Sequence, residues 1–396
     1  MRKALGNLRR SRAVTHASDF LGVQRLRFRQ RIAARFVRGV HLDTRTYLAR
    51  QRGRDWGEYI PLPEFDVPTN IHAPTFVPSA PVAKIGGRLR VKSTKHGVAL
   101  LNHPWVVGLS GAVIGQDNNL LWDLSYEWPG RPYNHTTYSL MKLDAEPLPG
   151  VTVTIAASGA ADNYFHFLLN SAARLVYLEH AIGELKPDHV LVTGSITPRT
   201  LEALALFDVP AARIICTSEH PALRPERLIA PSLIHHPFIV PEHVCDFVRR
   251  RVLSKLGSPS VKRRRIMVDR GDAPARRIQN LSELSPLLED HGVELVRLSG
   301  MSITRQAELF RDAELIIANH GAALANLVFC QPGTRVLQVI APGMMEREYR
   351  TISQHGRLRH DYVVGQFASE SDAHLVLKQR DLVIPFGILR QLLAEA

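Results

Sequence analysis

From Val151 onward, short apolar runs alternate with longer segments of helical periodicity. The runs "VTVTIAA", "DHVLVTG" and "ARIICT" have the length and the β-branched content of buried strands. The segments "NYFHFLLNSAARLVYLEHA" and "RTLEALALFDV" repeat apolar residues at helical spacing. This alternation predicts parallel strands that are covered by helices.

A second series of the same kind begins near Lys262. Strands are predicted for "RRIMVDR", "VELVRLS", "ELIIA" and "TRVLQVI", and helices for "SELSPLLEDHG", "TRQAELFRDA" and "AALANLVFC". We therefore expect an α/β protein with two facing Rossmann-like domains. In such domains, ligands bind at the carboxyl ends of the strands.

Residues before Val151 have a different pattern. Pro61–Val82 is proline-rich and predicts a linker, and residues 83–125 alternate short apolar and polar runs typical of hairpins. The predicted divisions are a basic N-terminal arm (1–60), a proline-rich linker with a small β-rich segment (61–150), a first Rossmann-like domain (151–260), a second Rossmann-like domain (261–365), and a closing strand and helix (366–396).

The composition, 45% hydrophobic and 22% charged over 396 residues, is that of a globular protein with two cores. No apolar run is long enough to span a bilayer, and we find no secretory signal pattern at the start. The scattered Cys216, Cys245 and Cys330 argue against a disulfide framework or a structural zinc site. We therefore expect a reducing, cytoplasmic location.

The net charge of +13 lies in the N-terminal arm, because residues 1–54 hold 15 Lys and Arg against 2 Asp. As a helix, Phe20–Val40 places Val37 and Val40 near one ragged apolar face. Four interpretations stay open: docking on an anionic membrane surface, an organellar presequence, nucleic-acid contact, or a solvated arm. The neutral remainder has no basic stripe or recognised module, so we expect no nucleic-acid partner.

Polar turns follow two of the predicted strands in the second series. In "NHGAAL", Gly321 lets the backbone approach a ligand, Ala322 keeps the first helical turn narrow, and His320 adds a donor where the helix dipole favours an anion. In "VDRGDAPARRIQNLSEL", Arg270, Arg276 and Arg277 offer guanidinium groups that suit phosphate oxygens. Both turns should lie at the same sheet edge. A tight turn with a core histidine and a solvated basic loop are the alternatives.

The first series contains one candidate for proton transfer. In "AADNYFHFLLNSAARL", Asp162 and His166 are four residues apart, which predicts one face of a helix start. His166 can accept a proton near neutral pH or can be a core histidine. Asp162 can be a base, can orient His166, or can cap the helix.

These stretches, in order, resemble glycosyltransferase family 61. The resemblance runs over "DNYFHFLLNSAARL", "VDRGDAPARRIQNLSEL" and "SITRQAELFRDAELIIANHGAALANLVFCQPGTRVLQVI", and it extends from about Ala80 to the C-terminus. It implies an inverting enzyme with two GT-B-like domains, which moves a sugar from a nucleotide-sugar donor to a glycan or protein acceptor. Bacterial members act in capsular or surface polysaccharide biosynthesis.

The resemblance also implies roles for particular residues. It places the acceptor side in the first domain, with His166 and Asp162 as catalytic candidates, and the donor in the second domain. The implied contacts with the donor diphosphate are Arg270, Arg276, Asn280, His320, Gly321, Ala322 and Asn326. Arg277 is a further candidate because of its charge and its place in the same loop. The expected partners are a nucleotide sugar, a glycan or lipid-linked glycan acceptor, and an anionic membrane surface at the cytoplasmic face.

Two missing motifs narrow the chemistry. There is no Asp-x-Asp motif of the metal-dependent GT-A transferases, so we expect no metal and no cofactor, with the nucleotide sugar as substrate. There is no G-x-G-x-x-G fingerprint with a following acid, which disfavours an NAD enzyme.

Several positions depart from the family pattern. Asn170, Leu281 and Gln338 stand where the family usually has carboxylates, and Asn319 stands where a small residue is usual. An alternative to the enzyme is therefore an inactive nucleotide- or sugar-binding partner in a polysaccharide assembly complex.

Overall fold

A computed structural model describes most of the chain. The described residues are 36–51, 53–63, 70–71, 87–88, 96–127, 130–183, 186–234, 239–260, 263–344, 348–369 and 379–395. The chain divides into two compact units, of which the first comprises Met1–Glu64 and Lys95–Leu233 and the second comprises Phe65–Thr94 and Ile234–Ala396.

A ten-stranded mixed sheet forms the first unit. Its strands are β1 Gly39–His41, β2 Gly57–Pro61, β5 Gly97–Asn102, β6 Trp105–Val107, β7 Ala112–Ile114, β8 Asn119–Leu121, β9 Glu146–Thr154, β10 His189–Val192, β11 Ile214–Cys216 and β12 Ala222–Pro231. The order is β1-β8-β7-β6-β12-β9-β10-β11, and β5 pairs with β12 and β2. Strands β9 to β12 are joined in parallel, as predicted, whereas β2, β5, β6 and β7 pair antiparallel.

Helices connect the parallel strands of this sheet. The α-helices are α1 Thr44–Arg50, α2 Leu175–Ala181 and α3 Pro198–Leu206, and the 3-10 helices are Trp122–Leu124, Thr136–Ser139, Ala172–Arg174 and Ala211–Arg213. The single long helix predicted after β9 contains a π-helical segment, His166–Ser171. Its last residue, Ser171, donates from Oγ to the backbone oxygen of Ile155 at 2.7 Å, which ties the segment to the end of β9.

The end of the basic arm is not helical. Residues 1–35 lie outside the described residues, so most of the predicted helix is untested. Gly39–His41, however, is strand β1, which pairs in parallel with β8. Val37 and Val40 are buried in the apolar cluster of the first unit, so they do not form the face of an amphipathic helix.

The second unit is built on a five-stranded parallel sheet. Its strands are β13 Arg264–Val268, β14 Val293–Val296, β15 Ala313–Asn319, β16 Arg335–Ile340 and β17 Arg359–Val364, with two small antiparallel pairs, β3 Asn70–Ile71 with β4 Gly87–Arg88 and β18 Gln366–Phe367 with β19 Leu382–Val383. The order β14-β13-β15-β16-β17 is that of a doubly wound fold. The strand order reverses between β13 and β15, where such folds bind ligands.

Nearly continuous apolar runs explain the parallel sheet. Every residue of β16 is buried, and Glu314 is the exposed residue of β15, as expected for strands covered on both faces. The covering helices are α4 Glu242–Leu253, α5 Leu281–Asp290, α6 Ile303–Arg311, α7 Glu348–His355 and α8 Phe386–Ala394, with a 3-10 helix at Ala322–Phe329. Ser302 caps α6, since its side chain accepts a hydrogen bond from the backbone N–H of Arg305.

The unit boundary falls earlier than the predicted domain boundary at residue 260. Helix α4 belongs to the second unit, where Arg249 donates to the backbone oxygen of Val328 at 3.0 Å. The β-rich segment is likewise not separate, because β5 and β6 pair with β12 in the first unit's sheet. Among the described helices, none has the length and apolarity to cross a membrane.

Candidate functional site

The polar turns of the second unit lie at the carboxyl ends of neighbouring strands. Arg270 follows β13 by two residues, and His320 follows β15 directly. The strands are paired in parallel up to Val268 and Ala318, so both turns emerge at the same edge. This edge is the point where the strand order reverses, as the sequence pattern predicts for a ligand site.

Gly321 lies against the guanidinium group of Arg270. A Cβ atom at position 321 would lie 2.5 Å from Nη1 of Arg270, which is closer than real contacts allow. The backbone of Gly321 is extended, with φ of 168°, so its conformation does not demand glycine. A larger residue here would require the guanidinium group of Arg270 to move.

Arg276 is fixed to the same turn from the other loop. Its Nη1 donates to the backbone oxygen of His320 at 3.1 Å, and its own backbone oxygen accepts a hydrogen bond from Nδ2 of Asn319 at 2.6 Å. Arg276 has a φ of 61°, in the left-handed region that is uncommon for an arginine. Asn319, a departure from the family pattern, therefore holds the arginine loop in place.

Arg270 and Arg276 form a partly buried cationic pair. Burial lowers the pKa of Arg270, and burial together with the charge of Arg270 lowers the pKa of Arg276. The Nε atom of each is buried and has no hydrogen-bond partner among the described residues. Two close guanidinium groups with unused donors form a site that favours an anion with several oxygens.

Tyr349 completes this site, and the sequence pattern did not single it out. It is buried in the first turn of α7, and its ring centroid is 5.3 Å from that of His320. It also interacts electrostatically with both Arg270 and Arg276. The only signal in the sequence is its position shortly after the carboxyl end of β16.

The His320 ring contacts a buried polar chain behind the site. Nε2 of Gln338 lies 3.4 Å from Nδ1 of His320, and Oε1 of Gln338 accepts from Nε2 of His360 at 2.9 Å. Nδ1 of His360 is 2.7 Å from Oγ of Ser353. Gln338 is fully buried, so its side chain is not exposed for contact with a ligand.

Three residues predicted to bind the diphosphate have other partners. Arg277 forms an ion pair with Asp381 at 2.8 Å, and Asn280 exchanges hydrogen bonds of 2.9 and 3.0 Å with the backbone of Ile384. Asn326 is fully buried and donates to Oε1 of Gln306 at 2.9 Å. These side chains hold the loops together in this structure, and their predicted contacts with a diphosphate stay predictions. Arg270, Arg276, His320, Gly321 and Ala322 remain together at the sheet edge.

The Asp381 carboxylate explains why Arg277 differs from its neighbour. Burial raises the pKa of Asp381, but hydrogen bonds from Arg277 and Gln279 outweigh it and lower the pKa overall. Asp381 is therefore charged at neutral pH, and it neutralises Arg277. Arg276, one residue earlier, keeps its charge directed to the turn at His320.

The first unit holds His166 at the start of the π-helical segment. Nδ2 of Asn170 lies 2.9 Å from Nδ1 of His166, and a Cβ at Gly159 would lie 3.2 Å from its Cδ2. Because an amide NH2 group can only donate, Nδ1 is the acceptor and Nε2 carries the proton. The ring is therefore arranged as a hydrogen-bond donor.

Asp162 does not cap this helix. Asn163 does so instead, since its Oδ1 accepts from the backbone N–H of Phe165 at 3.0 Å and of His166 at 3.4 Å. Asp162 lies in the turn before the helix and is exposed, so it does not share a helical face with His166. The capping interpretation of Asp162 is wrong, and its carboxylate is accessible to solvent.

A buried arginine that the sequence pattern did not single out links two strand ends of the first unit. Arg174 donates from Nη1 to the backbone oxygen of Ala156 at 2.8 Å and from Nη2 to that of Pro231. Burial lowers its pKa to about 9, so it stays charged at neutral pH. It joins the residues that follow β9 to the end of β12.

Comparison with known proteins gives one match, to a family model. The alternating strands and helices form an α/β fold, and a cationic turn lies at the sheet edge of its second unit. Residues 164–337, which include His166, Arg270, Arg276 and His320, match the family model described as Glycosyltransferase 61. By this match the protein is a glycosyltransferase, and its matched segment is similar to glycosyltransferase family 61. No curated protein matched the chain.

The class of enzyme indicates the kinds of ligand. A glycosyltransferase binds a sugar donor and an acceptor that receives the sugar. Among the residues described, no group of three or more His, Cys, Asp or Glu side chains is placed to hold a metal ion.

Proposed function

We propose that the protein is an inverting glycosyltransferase that moves a sugar from a nucleotide sugar to a glycan acceptor. The diphosphate of the donor binds at the ends of β13 and β15, between Arg270, Arg276 and the turn at His320. The observation that carries this proposal is that buried Nε donors of Arg270 and Arg276, at the turn of His320 and Gly321, have no partner among the described residues.

The chemistry of the leaving group fits these residues. As the glycosidic bond breaks, the nucleoside diphosphate gains negative charge, and fixed cationic donors stabilise that charge without reorganisation. Arg270 and Arg276 supply two such groups, and Nε2–H of His320 supplies a neutral one. We therefore propose that transfer is independent of metal ions.

The acceptor hydroxyl needs a base to take its proton. His166, with Asn170 donating to Nδ1, keeps its proton at Nε2 and is arranged to bind an oxygen of the donor or the acceptor. The exposed carboxylate of Asp162 is then the base we propose, four residues before the histidine.

The sequence supports a proposal for the domain arrangement and for the cellular context. The two units correspond to the two domains of a GT-B-like transferase, and the context is surface or capsular polysaccharide biosynthesis at the cytoplasmic face of a membrane. The support is the excess of Lys and Arg in residues 1–54 and the three free, buried cysteines. A lipid-linked glycan is the acceptor that such an arm would bring close.

Thermal stabilisation by nucleotides tests the donor site. UDP, GDP, CDP, CMP and ADP are added separately, with EDTA and then with magnesium. A nucleotide at 100 times its dissociation constant should add about 2.7 kcal/mol, or roughly 5–10 °C in melting temperature. Arg270→Ala and Arg276→Ala should abolish the shift.

Arg305→Ala is the matched control, because Arg305 is an exposed arginine of the same unit paired with Glu308. No shift with any nucleotide, or equal shifts in all variants, contradicts the proposal.

A further inference from the structure

A chain of hydrogen bonds leads from His320 into the core of the second unit. It passes through Gln338 on β16 and His360 on β17 and ends at Ser353 on α7. Gln338, His360 and Ser353 are all buried and are outside the cationic pair. Such a chain is able to fix which nitrogen of His320 carries the proton.

The amide of Gln338 sets the direction of every bond in the chain. Its Oε1 can only accept, so Nε2 of His360 carries a proton and Nδ1 of His360 accepts from the hydroxyl of Ser353. Its Nε2 can only donate, so Nδ1 of His320 is the acceptor. The proton of His320 is then at Nε2.

The surroundings of His360 keep this direction fixed. Burial, and next the charge of Arg350, lower the pKa of His360 to about 3, so the ring is neutral at physiological pH. Arg350 donates to the backbone oxygen of His360, and Tyr362 packs on the ring with centroids 5.1 Å apart. Asp361 also interacts with Arg350. A neutral ring has one proton, which the oxygen of Gln338 holds at Nε2.

We propose that Gln338 is a positioning residue which, held by His360 and through it by Ser353, keeps His320 as a neutral donor at Nε2. His320 then donates to an oxygen of a diphosphate and takes no part in acid–base exchange. This inference rests on the proposed function, because it concerns the same site.

The groups that face His320 agree with a neutral ring. Arg276 donates to its backbone oxygen, Arg270 lies against the next residue, and Tyr349 packs on its ring. A proton added at Nδ1 would point at the NH2 group of Gln338 and would add a third positive charge beside two guanidinium groups. Both effects keep the imidazole neutral.

The tautomer of His320 is measurable without any ligand. In the full chain with 15N-labelled histidine, the His320 signals are identified by their loss in His320→Gln. We expect the neutral form with the proton at Nε2 between about pH 6 and pH 8. In Gln338→Glu the carboxylate should accept from Nδ1 and produce the imidazolium at neutral pH. In Ser353→Ala a second tautomer should appear. A wild-type signal from the Nδ1–H form or the imidazolium, or wild-type signals in both variants, overturns the proposal.

The pH dependence of binding gives a second readout. Dissociation constants are measured for inorganic pyrophosphate and for the nucleotide that stabilises the wild type most. In Gln338→Glu the affinity should fall with rising pH, by up to about tenfold per pH unit, once the imidazolium of His320 loses its proton. The negative charge of the carboxylate is then no longer neutralised and repels the anionic ligand. The wild type should lack this added slope.

Ser302→Ala is the control for this measurement, since Ser302 caps α6 and does not contact the chain from His320 to Ser353. It should bind with the wild-type pH profile. Equal slopes in the wild type and Gln338→Glu overturn the role of Gln338. A wild type that binds neither probe instead contradicts the proposed function, while the tautomer measurement still decides the inference.

Discussion

At the residue scale, the close approach of Arg270 to Gly321 makes that glycine the most sensitive position in the site. Gly321→Ala places a Cβ 2.5 Å from Nη1 of Arg270 and should displace the guanidinium group. We expect nucleotide affinity to fall by about tenfold or more, since one charge-assisted hydrogen bond contributes about 1.5–3 kcal/mol. Titration calorimetry checks this. The control is Gly387→Ala in α8, where a Cβ meets nothing within 4 Å and binding should not change.

Asn280 should affect stability and not binding. Asn280→Ala removes both hydrogen bonds to the backbone of Ile384 and leaves that buried N–H and C=O without partners. We expect the free energy of unfolding to fall by about 2–4 kcal/mol, while the folded fraction binds nucleotide as before. Urea unfolding and calorimetry measure the two quantities. A loss of affinity with unchanged stability would return Asn280 to the binding site.

The sequence predicts the placement of some of these residues and not of others. The meeting of Gly321, Arg270 and Arg276 could be predicted, because a turn after a strand and a neighbouring basic loop lie at one sheet edge. The roles of Arg277 and Asn280 could not, because each is set by a partner 104 residues away, at Asp381 and Ile384. No local pattern distinguishes an arginine that is neutralised by a distant aspartate from one that is not.

At the scale of elements, strand β17 carries a histidine whose burial links stability to pH. His360 has a pKa of about 3 in the folded protein, below the ordinary value near 6.5. Between these values the unfolded chain binds a proton that the folded chain does not, so stability is lost as the pH falls. From about pH 7 to pH 5 we expect this group to account for about 2 kcal/mol.

Urea unfolding of the wild type and His360→Asn at both pH values tests this linkage. The variant should be less stable at neutral pH and should lose about 2 kcal/mol less on acidification. The same loss in both proteins would show that His360 is not the titrating group.

Two adjacent residues before the helix that follows β9 should have different roles, one structural and one catalytic. Asn163→Ala removes the N-cap and should lower stability by about 1 kcal/mol with transfer activity retained per folded molecule. Asp162→Asn should leave stability and nucleotide affinity unchanged and reduce turnover by at least about 100-fold, because the proposed base is lost. Thermal unfolding and a transfer assay with the identified nucleotide sugar check both. Full turnover in Asp162→Asn would remove it as the base.

The elements themselves were more predictable than their details. Buried runs such as "ELIIA" and "TRVLQVI" predict β15 and β16 because parallel strands are covered on both faces. The π-helical segment at His166 and the strand at Gly39–His41 were missed. The first is set by local hydrogen bonds to β9, and the second depends on pairing with β8, which lies about 80 residues further along the chain.

At the scale of the whole molecule, the charge distribution suggests a division of tasks. Residues 1–35 carry most of the excess of Lys and Arg in the arm, whereas β1, at Gly39–His41, is part of the first unit. A chain without residues 1–35 should keep its melting temperature and nucleotide affinity. It should lose binding to vesicles with about 30% anionic lipid, at about 1 kcal/mol per near-surface Lys or Arg removed. Flotation at low and high salt measures this, and unchanged binding would contradict membrane docking by the arm.

The central claim is that the edge of the second unit's sheet binds the diphosphate of a nucleotide sugar. Titration calorimetry in EDTA tests it most directly, with the nucleoside diphosphate that gives the largest thermal shift. We predict one site per chain without metal, and an affinity about 10 to 100 times lower in Arg276→Ala, because a hydrogen-bonded charge is lost. Arg305→Ala should bind like the wild type. Equal affinity in Arg276→Ala, or binding that appears only when magnesium is added, would contradict the account.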